Sequence, residues 1–202
     1  LVGTGFNFMI SGYDSEKREN AKQWLRNIVI MIVLVQGSFF IYQLVIDLSS
    51  ILTSTTLTLI DPNFFLIGAG GFSDLGLAII FSFLYVAVLI LTVLVLVIRY
   101  AFVAVGVVLF PLAIFFYFIP PLKQYGSLIM NFLGIAIFVT FLDAIFLAGF
   151  AKLTTISVFG NMQIIVLIGA FVLINIMMLF LLFFSIVKAG FSLYKGVKRF
   201  KL

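Results

Sequence analysis

Residues 75–98 read LGLAIIFSFLYVAVLILTVLVLVI, 24 positions without one charge, and Arg99 alone separates them from a second uncharged run at 100–122. A helix needs about 20 mainly apolar residues to cross the roughly 30 Å hydrocarbon core of a bilayer. Each run is long enough by itself. Further uncharged runs occupy 28–46, 124–142 and 153–187, with Asp47, Asp74, Lys123, Asp143 and Lys152 between them. The reading is an all-α, polytopic transmembrane helical bundle. It forms a single transmembrane domain over 1–202, with spans near 1–12 (partial), 28–50, 75–98, 100–120, 126–150 and 162–187, and a basic amphipathic tail at 188–202.

Composition supports the same class. Of 202 residues, 64% are hydrophobic and 9% charged, against about 25% charged in soluble domains. So few charges cannot cover a globular surface. There is no Cys and no His, which excludes disulfides, thiolate chemistry, Cys/His zinc sites and a histidine general base. The seven carboxylates are scattered among the connections, and no nucleophile–base set presents itself. Gly68, Gly70 and Gly71 are followed by no lysine, as a phosphate loop would require. No enzymatic activity, metal or cofactor is expected. No basic region precedes the first apolar stretch, so no signal peptide is expected; a cleaved leader and an earlier helix upstream of Leu1 stay open.

The first connection has clear local signals. Gly12 suits a left-handed helix C-cap, and Asp14 or Ser15 can N-cap the next helix. Glu16 then lies in the first turn, where the helix dipole favours a carboxylate. Lys17, Arg18, Lys22 and Arg26 follow, with Trp24 as an aromatic anchor at the headgroups. These four cations and Lys188, Lys195, Lys198 and Arg199 of the tail are the candidate cytoplasmic contacts. Attraction to anionic lipid accounts for them; DNA or a cytosolic protein is the alternative.

The placement of basic residues orients the chain. If 100–120 spans separately, six basic residues fall on each side. If it folds as a Pro-broken or re-entrant helix pair near Pro111, eleven of the twelve fall on the cytoplasmic side and only Lys152 outside. The second arrangement is favoured because charge bias orients most topologies, and a proline inside a helix, which removes a hydrogen bond and kinks the chain, supports a break near Pro111.

Ionisable residues inside a span are functional candidates by default. Asp143, with Thr140 one turn before it, is the foremost: it can line a polar path or bind a partner subunit, or else pair within the bundle. Asp47 reads as interfacial, and Arg99 as snorkelling inward. Gln36 and Gln43, seven apart, form a stripe suited to interhelical hydrogen bonds, and Ala144 with Ala148 offers a small-xxx-small contact.

Two stretches carry a family resemblance. Ser11-Gly-Tyr-Asp-Ser-Glu-Lys-Arg-Glu-Asn-Ala-Lys-Gln-Trp-Leu-Arg-Asn-Ile28 resembles the cytoplasmic turn of pilin-like and TrbL-like proteins. Arg99-Tyr100, Phe110-Pro111-Leu112-Ala113 and Pro120-Pro121-Leu122-Lys123, in that order, resemble the core of TrbL/VirB-type polytopic inner-membrane components of type IV secretion and conjugation systems. The small, Phe-rich, Cys-free form looks most like archaeal relatives, the CedA-like membrane proteins of DNA import. The chain departs from the pattern in having no Trp after the Pro-Pro turn and no large extracytoplasmic domain. The resemblance implies a multi-pass cytoplasmic-membrane subunit that forms part of a DNA-transfer channel or platform. Its partners would be membrane lipids and further secretion subunits in a homo- or hetero-oligomer, including an ATPase and a pilin-like protein. A small-solute transporter or channel subunit, and a pilus-associated structural subunit, are the alternatives.

Overall fold

The computed structural model describes residues 15–65, 75–156, 159 and 162–199, with backbone alone at 15–18, 75 and 189–199. It is an all-α bundle of four long helices: α1 (Ser15–Leu57), α2 (Leu75–Phe118), α3 (Lys123–Leu153) and α4 (Gln163–Arg199). Each is long and apolar enough to cross a membrane. The chain is thus a multi-pass membrane protein. The predicted partial span at 1–12, the Gly12 and Asp14 caps and the Gly68–Gly71 cluster lie outside the described residues.

Short 3₁₀ turns mark where the sequence forbids the helix to continue. After α1, the carboxylate Oδ1 of Asp61 accepts the backbone N–H of Asn63 at 2.9 Å, ahead of a turn at Pro62–Phe65. After α2, Ile119 precedes a proline, which disfavours the α conformation, and it is extended at φ −92°, ψ 114°. The turn Pro120–Leu122 follows, and α3 begins at Lys123. The Pro120–Pro121 turn is therefore present where the sequence placed it.

The break near Pro111 is not. α2 runs unbroken from Leu75 to Phe118 with Pro111 inside it, so 75–98 and 100–120 are neither two spans nor a re-entrant pair. Two causes act together. In lipid, an opened backbone has no water to satisfy it, whereas a continuous helix loses only the single proline bond. Packing also holds both sides of the proline: Leu109 and Phe110 pack against the core, and Ala113 and Ile114 are buried. Counted as one crossing, α2 leaves Lys123 at the same end of the bundle as Lys22 and Arg26. Trp24 and Asn27 of α1 indeed line one cleft with Pro120 and Pro121. Lys152 ends α3 at the opposite end. There Gln163 Nε2 donates to the carbonyls of Asn63 and Phe64 at 3.0 and 2.9 Å, tying α4 to the 3₁₀ turn after α1.

The core runs along all four helices through Tyr42, Val95, Leu133, Ala136, Leu167 and Met178. Two glycines set how closely the helices approach. A Cβ on Gly126 would fall on backbone atoms of Ala113 and Tyr117, and one on Gly106 would fall on the Tyr42 hydroxyl and the Leu133 side chain. Ala144 is buried and Ala148 packs against the core.

Candidate functional site

Apolar helices leave few polar side chains to place, and this bundle places them in two sets. The inward set is built around one carbonyl. Arg99, half-buried on α2, donates from Nε to the carbonyl of Ala136 at 2.6 Å and from Nη2 to that of Ile137 at 2.8 Å. The Ile137 carbonyl also accepts from Ser49 Oγ of α1 at 2.9 Å and from Thr140 Oγ1 of its own helix at 3.4 Å. Three helices thus meet at one oxygen. Arg99 does not snorkel toward a membrane surface: the planar guanidinium finds two acceptors close by on α3, and its charge is held there. Thr140 is turned to the same carbonyl, and no bond joins it to Asp143.

Close by, Tyr42 of α1 donates its hydroxyl to the carbonyl of Val103 at 2.7 Å. Thr92 donates to the Val88 carbonyl at 2.9 Å and accepts from Asn175 Nδ2 of α4 at 2.9 Å. Tyr42, Ser49, Thr92 and Asn175 were not legible as site residues. Asn175 carried the best signal, being the one amide or charged side chain between Gln163 and Lys188.

Asp143 is buried, 9% exposed. The charges of Arg99 and Asp143 act on one another, yet neither carboxylate oxygen has a hydrogen-bond partner. The guanidinium is bonded at the carbonyls of residues 136 and 137, and Asp143 follows six to seven residues later on the same helix, about 10 Å of helix rise. Thr92 is the residue that holds Asn175, whose own Oδ1 is also buried and unpartnered.

The outward set lies on α1. Gln36, Gln43 and Asp47 are all exposed, so among the described residues the glutamines do not form the interhelical stripe that their spacing implied. Ser38, Tyr42 and Ser49 occupy the buried face of α1 instead. At 100° per residue, Gln36, Gln43, Asp47, Ser50 and Ser54 fall within a sector about 60° wide and about 27 Å long, and all five are exposed.

Of the candidate cytoplasmic contacts, Lys22, Arg26 and Lys188 are exposed. The side chains of Lys17, Arg18, Lys195, Lys198 and Arg199 lie outside the described residues; the backbone there continues α1 and α4. No protein-family model, curated protein or solved structure matches the chain.

Proposed function

We propose that the chain is a membrane subunit of a larger protein assembly, namely part of the channel wall or platform of a conjugation-like, type IV secretion DNA-transfer apparatus. The observation that carries the subunit reading is the polar stripe on the outer face of α1. Amide and carboxylate groups directed at hydrocarbon are costly, and polar side chains on transmembrane helices are satisfied by a facing helix. Helix length supports the same reading. At 1.5 Å per residue α2 is about 66 Å long, roughly twice the hydrocarbon core, and its exposed side chains are mainly apolar. Neighbouring protein would cover what the bilayer does not.

The transfer apparatus is the specific form suggested by the resemblance of residues 11–28 and 99–123. The bundle interior is filled, with Leu133, Ala136, Leu167 and Met178 at 1% exposure or less. DNA would therefore pass between copies, or between this chain and its partners, with an ATPase supplying the energy. Deleting the gene should abolish DNA transfer between cells. The wild-type gene should restore it, and a Gln36→Leu, Gln43→Leu, Asp47→Leu variant that still reaches the membrane should not. Unchanged transfer after deletion overturns the assignment.

The buried Arg99–Asp143 layer favours a second reading, a small-solute transporter subunit. Solute flux in liposomes holding the purified chain alone would decide for it.

A further inference from the structure

The inward polar layer is unbalanced in one specific way. Its hydroxyl and guanidinium donors are turned to backbone carbonyls: Tyr42 to Val103, Ser49 to Ile137, Thr92 to Val88, and Arg99 to Ala136 and Ile137. Three acceptors remain without a donor, namely both oxygens of Asp143 and Oδ1 of Asn175. Asp143 is 9% exposed and Asn175 2% exposed, so bulk water does not reach these atoms. A buried acceptor without a donor costs free energy, and an ionised one costs more. One proton changes the count: a carboxyl group is a donor as well as an acceptor.

We propose that Asp143 is an intramembrane proton-binding site. The proton comes from bulk hydronium, forms an O–H bond on one carboxyl oxygen, and returns to bulk water on release. While held, it makes Asp143 a donor, able to serve a buried acceptor such as the unpartnered Oδ1 of Asn175. The charged and titratable surroundings are few. α2 contributes Arg99 and, further along, Tyr85, which is packed against the Phe171 ring. α1 contributes Tyr42, whose hydroxyl is engaged with Val103, and Asp47, which is exposed. α4 has no titratable residue between Gln163 and Lys188. Arg99 makes the site two-valued. With the proton released, the guanidinium charge balances the carboxylate; with the proton bound, the two α3 carbonyls alone hold the guanidinium.

Infrared difference spectra of the full chain in lipid nanodiscs, taken between acidic and alkaline buffer, test this. A protonated-carboxyl band at the high frequency of a buried group, distinct from those of the exposed carboxyls, should appear with acid. It should vanish in Asp143→Asn, change frequency in Asp143→Glu and Asn175→Leu, and persist in Asp47→Asn. Asp143→Asn, whose amide supplies donors in the same shape, should melt within about 3 °C of the wild type. Three outcomes each overturn the site. One is a band unaffected by both Asp143 variants. Another is a loss of melting temperature in Asp143→Asn as large as that in Arg99→Gln, which would make the carboxylate a fixed ionic partner. The third is a band that responds to sodium at constant pH, which would make the guest a metal cation.

Discussion

α1 and α4 are both apolar helices, yet they sit in the bundle in opposite ways. In the most apolar stretch of α4, 44% of the residues are buried inside the protein; in that of α1, 11% are. α4 turns its one amide, Asn175, inward onto Thr92, while α1 turns Gln36 and Gln43 outward. Average hydrophobicity does not distinguish such helices. The direction of the few polar side chains does: α4 completes the fold of this chain, and α1 offers a face that a neighbour can complete.

Three variants bear on that contrast. The largest effect is expected where helices touch through backbone. Gly126→Val would set a branched side chain against the backbone of Ala113 and Tyr117, where no flexible group can yield. A loss of about 3 kcal/mol or more is expected, read as the loss of monodisperse, folded protein in detergent. A wild-type melt would show that the α2–α3 approach is looser than described.

Arg99→Gln should come next. It removes two bonds to α3 carbonyls and the charge that faces Asp143. Because Arg99 is half-buried, about 2 kcal/mol is expected, less than for a fully buried pair, measurable by thermal melting. The smallest effect on the chain itself should follow Gln36→Leu combined with Gln43→Leu. Both residues are exposed, so stability should change by within about 0.5 kcal/mol. Cross-linking between α1 and its neighbours in native membranes should nonetheless fall sharply. A large loss of stability with intact cross-linking would reverse the roles assigned to the two sets.

The membrane class was legible because it rests on run length and charge scarcity, which are summed over many residues and tolerate local error. The Pro120–Pro121 turn was legible because consecutive prolines restrict the backbone whatever surrounds them. Pro111 was misread because its outcome depends on tertiary packing: a helix with core contacts at Phe110 and Ala113 tolerates one missing bond. Gln36 and Gln43 share a face, and the sequence does show that. Whether this face meets another helix of the same chain depends on where Ser38, Tyr42 and Ser49 point, and periodicity cannot rank two polar faces of one helix. Asp143 was found because a carboxylate stands out in an apolar run. Thr92 and Asn175 are neutral, and they acquire a role only through the bond that joins α2 to α4.

The carbonyl of Ile137, bonded from both Arg99 and Ser49, has a mechanical consequence. It acts as a pivot. α1 and α2 can swing about this point with little change in either bond, but neither can slide along α3 without breaking one. A ratchet of one helical turn, about 5.4 Å, is therefore resisted at this oxygen even where the flanking apolar surfaces would slip.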